Sequence, residues 1–179
     1  MNNLSNSTSS FDSLCADFED VCVTDLKGQI SQILGLQYLQ ASPHSTPQKL
    51  IKGAVWGASL RPIISLPVQI SRSIVTMSGT KQPTNVHFLY IAASPQTYMS
   101  EEALRAIGVE DVVQIGESMD DQESIPLPLL VNGYRILVRR SPSSSHFAHL
   151  NIFGEDFVHT SGARVFFGGE QLQFEIAFP

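Results

Sequence analysis

The chain reads as an all-β protein built of layered sheets, and three features carry that reading. Residues 54–94 place a long alternating run directly before a shorter, almost wholly apolar one, Val86 to Ala93. The pair Asn132-Gly133, favoured in a two-residue type I′ hairpin, stands between two runs of period two. The chain closes on a further alternating strand, with Leu172, Phe174, Ile176 and Phe178 on one face and Gln171, Gln173 and Glu175 on the other.

The elements follow in order. Residues 1–22 begin rich in Ser, Asn and Thr, too poor in apolar side chains to fold alone, and are expected to form an extended arm lying across a neighbouring surface. The remainder, 23–179, is expected to be one domain. Thr24 is a plausible N-cap, with Asp25 in the first turn and Leu26, Ile30, Ile33 and Leu34 as an apolar stripe, so a short helix is predicted over 25–35, ending near Gly35. Residues 41–47 are a loop with two prolines.

In the first long run Leu60, Ile64, Leu66, Val68, Ile70 and Ile74 alternate with Arg61, Ser65, Gln69, Ser71 and Ser73, which predicts a strand with one face in the core. Pro62 and Pro67 lack the N–H a ladder needs, so this strand should lie at an edge or carry a bulge. The second run, 86–93, is expected to be covered on both faces and to stop at Ser94-Pro95. Ser100, followed by Glu101 and Glu102 and later by Gly108, signals a second short helix. Further strands are expected over 111–116, 124–131, 134–140, 147–153, 163–167 and 170–178, with Gly168-Gly169 turning the last pair. No internal repeat is visible. Eight strands joined by long Pro-containing connections favour crossover topology, an antiparallel jelly-roll β-sandwich with two short helices.

Composition narrows the function. The 179 residues suit one core, and only 16% are charged, where about a quarter is usual. Other subunits are therefore expected to cover much of the surface. A net charge of −6 with eleven Lys plus Arg argues against phosphate-backbone binding by the whole domain. Cys15 and Cys22 do not form a disulfide framework and are expected as thiols. There is no apolar run long enough to span a membrane and no signal-peptide pattern, so the expected compartment is cytosolic.

The chemistry-bearing residues read blandly. His146 and His149 are spaced for a metal on a helix, but on the expected strand they face opposite ways, and no metal is expected there. Asp120, Asp121 and Glu123 lack the ligand spacing of a calcium loop and read as a solvated turn. There is no nucleophile elbow, phosphate-binding loop or dinucleotide fingerprint, so neither an enzyme nor a cofactor is expected. Arg135, Arg139 and Arg140 form a small basic strip beside Tyr134, read as subunit contact more than as an RNA site. Trp56, the single tryptophan, reads as core or interface packing.

The runs LeuIleLysGlyAlaValTrpGlyAlaSerLeu (50–60), ValHisPheLeuTyrIle (86–91), SerProGlnThrTyrMet (94–99) and ValValGlnIleGly (112–116) resemble the coat-protein domains of picorna-like viruses, most of all the small subunit of the plant Secoviridae. The likeness spans roughly 50–140. It implies a viral coat protein that assembles with itself or sister subunits into an icosahedral shell. Genomic RNA would be enclosed, with direct contact left open, and the places would be the virion and the host cytoplasm. A β-sandwich module binding carbohydrate or a receptor is the alternative.

Overall fold

The structure, a computed structural model, describes residues 21–44, 46–71, 82–109, 125–168 and 173–179. These residues are mostly β, with nine strands and four short helices. The helices are α1 (Val23–Lys27), α2 (Gln29–Leu34), α3 (Glu101–Ala106) and α4 (Glu155–Ser161). The strands are β1 (Leu50–Trp56), β2 (Arg61–Ile70), β3 (Thr84–Tyr90), β4 (Thr97–Met99), β5 (Leu127–Val131), β6 (Tyr134–Arg140), β7 (Ile152–Phe153), β8 (Arg164–Gly168) and β9 (Gln173–Ala177). The expected strand at 111–116, the acidic turn at 119–123, Cys15 and the arm to residue 20 lie outside the described residues.

The strand order β3-β7-β4-β6-β5-β2 closes on itself, because β3 also pairs with β2. From β2 a ribbon of β1, β9 and β8 runs off. Ile64, Leu66, Val68, Val86, Phe88, Leu129, Val131, Ile136 and Val138 alternate onto one face of the ring and are buried there. The opposite face of β2 and β3 is covered too: Ile63 and His87 are fully buried, and Ser31 of α2 sits against His87. The expected half-buried β2 is thus a central strand covered on both faces.

Its prolines fit for a specific reason. On one edge β2 pairs with β1 over residues 61–63 and with β5 from residue 68 onward, leaving a gap between the two partners. Pro67 accepts from Asn132 N–H across that edge (2.8 Å), so its missing donor falls at the handover. Pro62 points to the other edge, beyond the last β3 pair, Ile63–Leu89.

The expected antiparallel, eight-stranded, two-helix arrangement needs correction in its count and in two pairings. β3 runs parallel to β7, and β4 parallel to β6. The strand expected over 147–153 survives only as β7. Residues 142–150 fold instead as successive turns, with Ser145 N–H, Ala148 N–H and Leu150 N–H each bonding back three residues. Beyond Gly154, two acids in the first turn and left-handed Gly162 delimit α4, which the sequence reading missed. The single helix expected over 25–35 is two, broken at Gly28. Cys22 rather than Thr24 precedes the first, because the Asp25 carboxylate accepts the Cys22 N–H (3.0 Å). The break resets the helical phase, leaving Ile33 58% exposed while Leu26 and Ile30 are buried. Strand β1 was also not anticipated; Gly53 lets it serve two partners, since a Cβ there would stand 2.5 Å from the Ile63 carbonyl oxygen.

The ring is internally two-fold. Hairpin β2–β3, then β4 and α3, repeats as hairpin β5–β6, then β7 and α4. Each short strand pairs in parallel with the other half's hairpin, and on the axis β2 pairs with β5 and β4 with β7. Tyr98 faces Ile152 on that axis, and Val68 faces Val131. Hydrogen bonds repeat as the symmetry requires. Ser100 N–H donates to Asn151 Oδ1 (2.9 Å) as Gly154 N–H does to Thr97 Oγ1 (3.4 Å). Ser141 N–H donates to the Met99 carbonyl (2.8 Å) as Ile91 N–H does to that of Phe153 (3.2 Å).

Candidate interaction surface

Among the described residues, three places concentrate polar or exposed apolar groups, and the third presents exposed aromatic surface at a sheet edge. The first is a buried network between the α1–α2 segment and the ring. Asn151 Oδ1 accepts from Ser100 N–H and Oγ–H, while its Nδ2 donates to Tyr38 Oη (2.9 Å) and the His87 carbonyl (3.1 Å). All four of its bonding positions are filled. Ser31 Oγ donates its one proton to the Leu26 carbonyl (2.6 Å), so in its 3.1 Å contact with His87 the imidazole Nε2–H is the donor. Nδ1 then carries the lone pair, with no partner among the described residues. Burial pushes the His87 imidazole down to about 4, an effect the Leu36 carbonyl offsets only in part. Burial likewise raises the Tyr38 hydroxyl, countered by its bond with Asn151. This network ties segments 113 residues apart. It is a structural clamp, and sequence spacing carried no signal of it.

The second place is an open groove of about 320 Å³ lined by Glu101, Glu102, Arg105, Arg140, Ser141 and His149, among others. Its acids are already engaged. Lys27 bonds Glu102 at 2.6 Å, and Arg105 bonds Glu101 one turn away. Arg140 and the His149 side chain also line the groove, beside Ser141 and Ser143. Neighbouring His146 is exposed, as is His149, and both sit on turns rather than on the expected strand. No group of three or more metal-ligating side chains occurs among the described residues.

The predicted basic strip does not hold together as a strip. Arg135 and Arg139 lie on one face of β6, opposite Leu130 and Tyr98, while Arg140, opposite Met99, points to the other. Arg135 is exposed; Arg139 is half-buried and engaged. Trp56 pairs with Arg61 at the end of β1, half-buried and packed on the core, so it is not an exposed anchor.

The third place is the outer strand of the ribbon. β8 pairs only with β9 among the described residues, and its Phe166 and Phe167 are 48% and 59% exposed. Phe167 lies on the inner face with buried Phe174, 5.2 Å away between ring centroids, and stacks on Tyr90 at 6.2 Å. Tyr90 in turn stacks on core Phe153 (4.9 Å). Phe166 faces outward beside Glu175. Phe167, stacked on core rings and still more than half exposed, and Phe166, exposed on the other face, leave aromatic surface on both sides of this strand. The strand is legible in the sequence, but period two alone does not reveal that no described strand pairs with its far side.

Comparison of the chain with protein-family models, with curated proteins and with solved structures finds no significant match. No helix among the described residues is long and apolar enough to cross a membrane.

Proposed function

We propose that this chain is a non-enzymatic structural subunit whose work is the burial of its surface against other protein subunits, and that its specific form is the coat protein of a picorna-like RNA virus. The observation that carries the reading is the half-exposed Phe166 and Phe167 on the outer strand of a chain with only 16% charged residues. Exposed Leu50 and Leu137 add apolar surface on β1 and β6. Such exposed aromatic and aliphatic surface suits an interface.

In this reading copies or sister subunits close an icosahedral shell around genomic RNA. The jelly-roll form of the sandwich belongs to the same proposal, but two parallel pairings and the closed ring depart from it. Support therefore comes from the surface and not from strand order. The separated arginines favour RNA enclosed without a dedicated basic stripe. A second reading, a non-enzymatic β-sandwich binding module, draws on the Arg140–His149 groove. Electron microscopy of the expressed protein, with its sister subunits, separates the two. Closed particles are the expected result; a clean monomer by native mass measurement that binds glycans replaces the coat reading with the module.

A further inference from the structure

We propose that the edge of β8 away from β9, unpaired among the described residues, pairs antiparallel with β8 of a second copy of this chain, centred on Phe166, joining two β1-β9-β8 ribbons into one continuous six-stranded sheet. The inference rests on the reading of the chain as an assembling subunit and names the first contact in that assembly.

An exposed strand edge is a template for another strand, and monomers blunt it with lysine, proline or a bulge. Val165, Phe166, Phe167 and Gly168 carry none of these, and the strand pairs along its whole length with β9 without a bulge. A second copy fits because the strand is complementary to itself in one direction. Antiparallel pairing about Phe166 sets Arg164, the only charge on β8, opposite Gly168 of the other copy. The two arginines then stand apart by about four residues of strand, roughly 13 Å. Parallel pairing would stack arginine on arginine.

The faces match as well. Val165 and Phe167 lie on the inner face, against Ile176 and Phe174, so each Phe167 comes to lie beside Val165 of the other copy. On the outer face the two Phe166 rings meet directly, a favourable cross-strand pair. A two-fold contact of this kind uses the same patch twice, the commonest form of self-association. The exposed phenyl surface is roughly 200 Å² per copy, well short of the ~800 Å² per partner of a stable interface. The dimer should therefore be reversible and concentration-dependent, strengthened when further subunits join.

Sedimentation equilibrium of the full chain from about 1 to about 300 μM tests this by mass action. The wild type should pass from monomer toward dimer. Phe166→Lys places two ammonium groups face to face and should raise the apparent Kd at least about tenfold, while Ile33→Lys, exposed on α2, should leave it unchanged. Circular dichroism checks folding, and Phe166→Thr, which keeps strand propensity, replaces the lysine variant should that fail to fold. A Phe166→Lys protein that dimerises like the wild type overturns the β8 contact and leaves the assembling-subunit reading standing. A wild type that stays monomeric across the range but forms particles overturns the contact alone; one that stays monomeric and forms none overturns both.

Discussion

Among the described residues, His87 is the one whose ionisation the fold most strongly opposes. It is fully buried, its Nε2–H is given to Ser31, and its imidazole is depressed from the ordinary 6.5 to about 4. Because the folded value lies below the unfolded one, the unfolded chain binds more protons between those two pH values. The stability that His87 contributes is therefore complete above about pH 6.5 and is lost as pH falls toward 4, on the order of 3 kcal/mol in total. Urea denaturation at pH 7 and pH 4.5 should show a steeper loss for the wild type than for His87→Gln, which keeps an N–H donor without a proton to gain. Equal slopes would mean that the site is wetter than its burial implies. Gly53 makes a second case at the same scale. A Cβ would press on the Ile63 carbonyl and on the Phe174 ring, both at 2.5 Å, and the carbonyl is backbone with no rotamer to yield. Gly53→Ala should cost roughly 1–3 kcal/mol, lowering Tm by about 2–4 °C per kcal/mol in a chain this long. An unchanged Tm would show that β1 can slide away from β2.

The β5–β6 hairpin turns on Asn132 and Gly133, both with positive φ, at 47° and 81°. Asn132 does more than turn the chain: its Oδ1 accepts Gln48 N–H and its Nδ2 donates to the Gln48 carbonyl, both at 2.9 Å, tying the hairpin to the lead-in of β1. Asn132→Gly keeps the turn and loses the clamp, which should cost about 1–3 kcal/mol. Asn132→Ala loses the clamp and forces a methyl side chain into the left-handed region, adding about 1 kcal/mol more. Denaturant midpoints in the order wild type, Gly, Ala would support this; an alanine variant as stable as the glycine one would refute it. This turn, the Ser100 cap and the buried alternation of β9 were legible because each depends on residues adjacent in sequence. The α4 helix is also written locally, in Glu155, Asp156 and Gly162, but the apolar run before it has the pattern of a strand. The parallel pairings and the packing of α2 over His87 were not legible, since they join residues tens of positions apart through shape alone. The same holds for the edge of β8 that no described strand covers: a strand's pattern says which face is buried and nothing about which neighbour stands at its edge. Trp56 and the arginines stand out by residue type alone, and β6 places Arg140 on the opposite face from Arg135 and Arg139.

At the scale of the whole molecule, the internal two-fold decides how the chain can come apart. The first half of the ring is β2, β3 and β4, and the second is β5, β6 and β7. Of six pairings in the ring, only β2–β3 and β5–β6 lie within a half; β2–β5, β3–β7, β4–β7 and β4–β6 cross between halves. β4 has both neighbours in the other half, and so does β7. Outside the ring, β1 takes its second partner, β9, from the far end of the chain. The repeat escaped sequence reading because the equivalent segments GluGluAlaLeuArgAlaIleGly and GluAspPheValHisThrSerGly share little beyond two leading acids and a terminal left-handed glycine. A lone hairpin is marginal in water, and neither half can bury its apolar face unaided. Residues 1–117 and 118–179, expressed separately, should therefore each lack protected amides, yet recover the native strand signal by circular dichroism when mixed. Recovery should follow second-order kinetics, since the first productive step joins two chains. Slowly exchanging amides in either fragment alone would show that a half folds by itself, and that the crossed pairings stabilise the ring without being required for it.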